Sequence, residues 1–444
     1  MHNTPVVESH TITNRHVAVF GAGRSGRAAA ALALREGAVV SMWDQGGEKS
    51  FEGVDERVER RACFSVEDAE NFMADLIVIS PGIDTYSPLI QAFAAKARLI
   101  GETEFAASYY EGGIIGITGT NGKTTTTELV SRILHHAGLG GTPCGNYGAP
   151  LSEIVLSEDV PAAVALELSS FQLETIDDLR PKVSIWLNFA PDHMDRYPTV
   201  EAYKAAKLRI FENQTAEDTV VMRAGEDLGE LIPKLITFST ETRDADFFSD
   251  GVTIMQGGRI LLDLETETSL RGLHNAENAM AAMAACMAYG IDPSIIPGAL
   301  QGYAPPPHRC ELIRTLDGVE YLNDSKATNL HALQCALRSQ NRPVVLIAGG
   351  KDKGLDYSSL LPMLAKQAIS AVTFGQIARP LAELFNTAIP TTAVVTLEEA
   401  IHSARSLAPR GSTILLSPGT SSFDQFTGYE KRGDTFRDIV HQLN

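Results

Sequence analysis

The chain has 444 residues, 44% hydrophobic and 21% charged, with a formal net charge of −18 at pH 7. Domains usually run to ~100–200 residues, so three domains are expected, of ordinary globular composition. The charge argues against nucleic acid or an anionic membrane as a bulk partner, and no run approaches the ~18 apolar residues of a membrane span.

Residues 1–16 are polar and lack an apolar signal core, which points to a cytoplasmic protein. The apolar run His16-Val17-Ala18-Val19-Phe20 predicts a first strand, followed by the turn Gly21-Ala22-Gly23-Arg24-Ser25-Gly26 and an Ala/Leu-rich helix over 24–36. Strands are predicted over 38–43 and 75–79, the latter ending in Ser80-Pro81-Gly82. This is a parallel, doubly wound pattern. The GxGxxG lets backbone approach a diphosphate at a helix N-terminus, with Asp44 placed for a ribose or a uracil; taken alone it points to a dinucleotide oxidoreductase.

A second α/β series opens with a strand over 114–117. The loop Gly119-Thr120-Asn121-Gly122-Lys123-Thr124-Thr125 follows, and then a helix over 123–137. Backbone N–H groups and the helix dipole at such a turn cradle phosphate. Lys123 supplies a point charge to the β/γ-phosphates and Thr124 a hydroxyl for Mg²⁺. The usual P-loop has a glycine five residues before the one preceding lysine; here that position, 117, is Ile, so the loop is a shorter variant.

Buried strands are predicted over 162–168 and 182–187. They end in Glu167 and in the run Asp192-His193-Met194-Asp195, a carboxylate and imidazole set suited to Mg²⁺ beside a phosphate loop. Lys204 and Lys207 lie on a helical run over 201–212 and by pattern alone read as a solvated face. A hairpin over 252–262 turns at Gly257-Gly258. A helix over 276–288 carries Met280, Met283 and Met287 at core spacing.

Residues 304–307, Ala-Pro-Pro-Pro, form the clearest linker. Beyond it, strands are predicted over 344–347, 371–374, 393–395 and 413–416. Polar clusters at 308–309, 323–329, 349–354 and 417–426 suggest a lined cleft in this third series. The five cysteines (Cys63, Cys144, Cys286, Cys310, Cys335) are scattered singly, which suits free thiols in a reducing compartment.

Taken in order, Gly119–Thr124, the runs 166–174 (Leu-Glu-Leu-Ser-Ser-Phe-Gln-Leu-Glu), 192–198 (Asp-His-Met-Asp-Arg-Tyr-Pro) and 205–210 (Ala-Ala-Lys-Leu-Arg-Ile), then 273–278, 307–309, 323–329 and 417–426, resemble the Mur ligases. The resemblance runs from about Val17 to the C-terminus, and within the family it is to members that add D-glutamate to UDP-N-acetylmuramoyl-L-alanine with ATP. It implies three α/β domains: a Rossmann-like domain for the uridine nucleotide over 1–102, a central P-loop-type ATPase domain over 103–305, and a C-terminal Rossmann-like domain over 306–444 that completes the ATP and D-glutamate sites and closes over them.

The same resemblance implies that Gly23, Arg24, Ser25, Gly26, Asp44, Gln45 and Ser80 hold the uridine nucleotide, with Asn146 near the sugar, so no nicotinamide is needed. It assigns ATP to residues 119–125, Asn278, Arg309, Asp324 and Lys326, and D-glutamate to Thr328, Lys353, Ser422 and Phe423. One or two Mg²⁺ are assigned to Thr124, Glu167, His193 and Lys207, with Lys207 as a carbamate; Lys123, His193 and Lys207 are the implied catalytic residues. A cytoplasmic monomer is expected. Lys351-Asp352-Lys353 stands where some members have Asp-Gly-Lys, and Tyr429 where some have Phe. An oxidoreductase leaves the second phosphate loop unexplained, and a guanine-nucleotide switch lacks the N-K-x-D signature.

Overall fold

The computed structural model describes residues 11–194 and 196–444. Most of the polar N-terminal segment, and Asp195, lie outside the described residues. The chain divides into two compact units, Met1–Phe238 with Ala279–Leu300, and Ser239–Asn278 with Gln301–Asn444.

The first unit begins with strands β1 (His16–Phe20), β2 (Val39–Asp44), β3 (Glu59–Ala62), β4 (Leu76–Ile79) and β5 (Arg98–Gly101), paired in parallel in the order β3-β2-β1-β4-β5. The order reverses between β1 and β4, which opens a crevice at their carboxyl ends. Those ends are Gly21 and Ser80, the two positions that the motifs single out. Strands β3 and β5 are not among those expected from the sequence; β3, Glu-Arg-Arg-Ala, is a charged edge strand of the kind that blunts a sheet edge instead of burying a face.

The same unit continues with β6 (Gly113–Thr118), β7 (Gly140–Gly145), β8 (Ala163–Glu167), β9 (Val183–Trp186), β10 (Thr219–Arg223) and β11 (Lys234–Ser239). They run parallel in the order β11-β10-β9-β6-β8-β7. Central β6 feeds the phosphate loop, while its neighbours β8 and β9 deliver Glu167 and the loop starting at residue 187. Every residue of β8 and β9 is buried, as expected of strands covered on both faces.

The two sheets of this unit are joined by the short helix Glu102–Ala107. Glu102 accepts the Ser152 N–H (2.8 Å), Glu104 accepts those of Asp178 and Leu179 (2.9 and 3.0 Å), and Gln172 donates to Thr103 (3.0 Å). Buried backbone groups at the ends of neighbouring segments are thereby satisfied by side chains.

In the second unit β12 (Phe247–Ser249), β13 (Thr253–Gln256) and β14 (Arg259–Asp263) form an antiparallel trio, and β13 turns into β14 at Gly257 and Gly258, both at positive φ. A further sheet holds β15 (Glu311–Leu316), β16 (Val319–Asn323), β17 (Val344–Gly349), β18 (Ala368–Phe374), β19 (Thr391–Ala393) and β20 (Thr413–Leu416) in the order β15-β16-β20-β17-β18-β19. Only the β15–β16 hairpin is antiparallel. That hairpin is not read from the sequence, and the strand expected over 393–395 lies two residues earlier.

The helix expected over 276–288 spans Leu273–Tyr289, with Met280 and Met283 in the core. Among the described residues no helix is long and apolar enough to cross a membrane, and Cys144 and Cys286 are buried free thiols.

Candidate active site

The phosphate loop is shaped by its glycines. Gly119 (φ +150°) and Gly122 (φ +87°) adopt conformations that side chains rarely allow, and a Cβ on Gly119 would sit 2.9 Å from that of Leu187. Asn188, just beyond β9, clamps the loop: its Oδ1 accepts the Asn121 N–H (2.9 Å), its Nδ2 donates to the Asn121 carbonyl (3.0 Å), and its own carbonyl accepts the Thr120 N–H (3.0 Å). The Thr120 hydroxyl donates to the Ala190 carbonyl and accepts its N–H, each at 3.0 Å. Sequence reasoning gave Asn188 no role; only the adjacency of β6 and β9 reveals it.

Two lysines meet over this loop. Lys123 Nζ donates to the carbonyls of Gly119 (2.9 Å) and Thr120 (3.0 Å), and Lys207 Nζ donates to the same Gly119 carbonyl (2.9 Å). Lys207 is not on a solvated face: it is 1% exposed, and its amine lies 4.9 Å from the centroid of the Tyr203 ring. Burial, and then the like charge of Lys123, hold this amine well below the ordinary lysine range, with Asp192 and Glu167 pulling the other way.

Glu167 ends β8 and is 2% exposed. Its Oε1 accepts from Asn146 Nδ2 (2.7 Å), and its Oε2 is buried with no hydrogen-bond partner. A buried carboxylate oxygen without a donor is costly, and a hard cation would satisfy it. Among the described residues no group of three or more His, Cys, Asp or Glu could hold a metal. Mg²⁺ usually keeps several waters and phosphate oxygens and takes few protein ligands. Glu167 and, at the helix start, Thr124 carry oxygens of the kind such an ion takes; Lys207 would offer one only as a carbamate.

His193 lies in the loop after β9 in the left-handed region (φ +57°), unusual outside glycine, and its side chain is 46% exposed. The backbone N–H groups of Arg196 and Tyr197 both donate to its carbonyl (3.0 Å each).

At the first crevice, Gly26 packs against the Gly21 carbonyl so tightly that a Cβ would come within 1.8 Å of its oxygen, and a Cβ on Gly21 would meet Ser80 Oγ at 2.8 Å. Asp44 accepts the N–H groups of Ala22 (2.7 Å) and Gly46 (2.8 Å), which fixes the cradle; a carboxylate has further lone pairs for a ligand. Gln45 donates to the Phe64 carbonyl (2.6 Å), and Arg24 pairs with Glu153 (2.7 Å) at the surface. Ser25 is half-buried, Gly23 is exposed, and Ser80 Oγ is buried without a partner.

In the second unit the adjacent strands β16, β20 and β17 bring the polar clusters at 323–329, 417–426 and 349–354 to one sheet end. Asp324 is 8% exposed and accepts from Ser417 Oγ (2.9 Å) and the Cys310 N–H (3.2 Å). Burial pushes its carboxyl up to about 7, against the pull of those donors and of Arg309. Lys326 lies 4.0 Å from the centroid of the Tyr429 ring, and Lys353 Nζ reaches the Thr328 carbonyl (3.5 Å). Ser422 is buried, whereas the neighbouring Phe423 is 65% exposed. Asn278, also buried, has its amide 3.4 Å from His274 Nε2.

These loops are tied together by Arg432, a fully buried residue that no motif singled out. It donates to Ser325 Oγ (2.9 Å), to the Ser325 carbonyl (2.8 Å) and to the Thr420 carbonyl (3.2 Å). Burial lowers its guanidinium to about 10.

Residues 117–286 match the Mur ligase middle domain, and residues 308–419 match the Mur ligase glutamate ligase domain. The chain is 38% identical to a UDP-N-acetylmuramoylalanine--D-glutamate ligase of Geobacter metallireducens, over 97% of this chain and 98% of that protein. It is 40% identical to the protein of that name from Myxococcus xanthus, over 97% and 99%. Among solved structures, a pseudomurein peptide ligase type C from Methanothermus fervidus superposes with a TM-score of 0.60 at 19% identity, covering 97% of this chain and all of that one. The MurF ligase from Thermotoga maritima in complex with ADP gives 0.60 at 15%, over 98% and 97%. The last two likenesses concern the fold; the sequence relationships, which run almost end to end, place this chain in the Mur ligase family.

Proposed function

We propose that this protein is an ATP-dependent ligase that joins D-glutamate to UDP-N-acetylmuramoyl-L-alanine through an acyl phosphate, releasing ADP and phosphate in cytoplasmic peptidoglycan precursor synthesis. The observation that carries this reading is the meeting of Lys123 and Lys207 on the Gly119 carbonyl, in range of the buried Glu167. The names of the relatives supply the substrates.

The chemistry follows from the residues. The alanyl carboxylate of the uridine-linked substrate attacks the γ-phosphorus of ATP, and ADP leaves. Lys123 swings from its loop carbonyls onto the transferring phosphoryl group, where charge spreads over the oxygens. The amine of D-glutamate then attacks the acyl carbon, the tetrahedral intermediate collapses with loss of phosphate, and the amine proton is released. Thr124, Glu167, His193 and Lys207 would hold one or two Mg²⁺, which would supply charge neutralisation on the phosphates.

Lys207 fits a carbamate. An amine held neutral by burial adds CO₂ to give R–NH–COO⁻ and one proton. An ordinary lysine, with a pKa of ~10.4, is almost wholly protonated at neutral pH, and only a tiny fraction is the amine that adds CO₂.

Residues 1–102 take the uridine nucleotide through Gly23, Arg24, Ser25, Gly26, Asp44, Gln45 and Ser80, with Asn146 at the sugar. Residues 103–305 and 306–444 are the central and C-terminal domains. Residues 119–125 and Asn278, with Arg309, Asp324 and Lys326, bind ATP, while Thr328, Lys353, Ser422 and Phe423 bind D-glutamate. The protein acts as a monomer.

The test is phosphate release from ATP with UDP-N-acetylmuramoyl-L-alanine and each candidate amino acid in turn. Release that depends on D-glutamate is expected. Release with a different amino acid, or none with any, overturns the assignment.

A further inference from the structure

The loop that carries His193 and the loop that carries Ser80 meet at one buried carboxylate, Glu174, which is 6% exposed. Its Oε2 accepts from Thr85 Oγ1 (2.9 Å) and from Arg196 Nη2 (2.9 Å), and its Oε1 accepts the Tyr197 hydroxyl. Thr85 belongs to the turn after β4, where the Ile83 N–H bonds back to the Ser80 carbonyl (3.1 Å) and the Thr85 carbonyl accepts from Gln91 (2.7 Å). Arg196 and Tyr197 are the two residues whose N–H groups grip the His193 carbonyl. Three bonds to one side chain therefore bridge the first sheet's crevice to the left-handed turn at His193.

The contacts continue inward. The Arg196 guanidinium lies 3.9 Å from the centroid of the Phe171 ring, and that ring meets His193 edge-on at 5.0 Å. Tyr197 packs on Tyr203 at 5.2 Å, and Tyr203 faces both His193 (6.0 Å) and the Lys207 amine (4.9 Å). On the outer side, Arg196 Nε has no hydrogen-bond partner and lies 3.8 Å from Asp84, in the same turn as Thr85.

A buried ion pair is often no more stabilising than well-packed apolar residues of the same volume, so fold stability is a weak reason for a carboxylate here. A non-glycine residue in the left-handed region persists only where its surroundings over-determine it.

We propose that Glu174 is a positioning residue: it holds the His193 turn through Arg196 and Tyr197, and through Thr85 it couples occupancy of the Ser80 crevice to the affinity of the metal site. The proposal rests on the reading of His193 and Glu167 as metal-site residues and of Ser80 as a substrate residue. Substrate bound at Ser80 stiffens the 80–87 turn, and Glu174 passes that order to the His193 loop. Metal at His193 strengthens substrate binding by the same factor, because such coupling is reciprocal.

The test is Mn²⁺ binding to the full chain, read from the free-ion EPR signal with and without UDP-N-acetylmuramoyl-L-alanine. In the wild type the substrate is expected to tighten Mn²⁺ by roughly 5-fold or more, the low end of typical couplings. In Glu174→Gln that factor falls to near one. Thr85→Val leaves the Glu174–Arg196 pair in place and also loses the factor while retaining Mn²⁺ affinity without substrate, which separates coupling from folding should the first variant be unstable. An unchanged factor in both variants, or no factor in the wild type, overturns the proposal. Glu167→Gln and His193→Ala serve as controls. If the wild type binds no Mn²⁺, or these controls bind it as tightly as the wild type, the metal reading falls and the proposal with it. If the controls weaken Mn²⁺ while the two coupling variants behave as wild type, the coupling alone is wrong.

Discussion

Replacing Lys207 with methionine separates what this residue does for the fold from what it does for chemistry. The amine is 1% exposed, is repelled by Lys123, and donates one hydrogen bond, to a Gly119 carbonyl that Lys123 also serves. Losing that bond costs about 0.5–1.5 kcal/mol. Replacing a buried charge-bearing group with an apolar one of similar volume gains about 1–4 kcal/mol. The balance for Lys207→Met is stabilisation by about 1–2 kcal/mol, or a rise in Tm of roughly 1–2 °C for a chain of 444 residues.

The sign depends on pH. The folded-state pKa lies below the unfolded value of 10.5, so between the two the unfolded chain binds a proton that the folded one does not. Stability of the wild type therefore rises with pH across that window. The advantage of methionine is greatest at neutral pH and fades as pH approaches 10.5. The assay is thermal unfolding of both proteins in metal-free, CO₂-depleted buffer, paired with phosphate release, where the variant should fall by ~10²-fold or more. A lower Tm for the variant at neutral pH, or near-normal turnover, refutes the reasoning.

Lys123→Ala should lower kcat by ~10²-fold or more in the phosphate-release assay; a near-normal rate removes its role at the phosphoryl group. Asp324 has a folded value of about 7 against an ordinary 3.8. Its contribution is therefore full below about pH 4 and is lost as pH rises through about 7, on the order of 4 kcal/mol in all. Denaturant unfolding of Asp324→Asn should show less of this decline than the wild type, and parallel pH profiles would contradict the assignment. Arg432→Met leaves the carbonyls of Ser325 and Thr420 without their guanidinium donor, which should cost about 2–5 kcal/mol and raise the KM for D-glutamate more than that for ATP. An unchanged D-glutamate KM in folded variant protein would count against Arg432 as the brace of those loops.

Sequence pattern reaches as far as local signals do. The strands β1, β4, β6, β8 and β9 are apolar, and each ends in a glycine loop or polar run, so their place in parallel sheets and the ligand-facing loops beyond them are readable in advance. The charged edge strand β3 carries little periodicity, because an exposed face needs none; in β16 Val319, Tyr321 and Asn323 are buried in alternation, but the run is short and mixes polar with apolar residues. Lys207 shows the opposite failure: two lysines three residues apart look like a solvated face, and only the packing of Tyr203 and the Gly119 loop buries one of them. Asn188, Glu174 and Arg432 were missed for a common reason. Each works by bonding to segments 22 to 107 residues away, and no spacing rule reports such contacts.

The central claim is that the substrate's alanyl carboxylate is activated by ATP at the Lys123–Glu167–Lys207 site. The most direct measurement labels both oxygens of that carboxylate with ¹⁸O and follows the isotope by mass spectrometry of the released phosphate after ligation with D-glutamate. Attack on the γ-phosphorus predicts one ¹⁸O in each phosphate released. Amide formation with unlabelled phosphate would contradict the acyl phosphate and the site built around it.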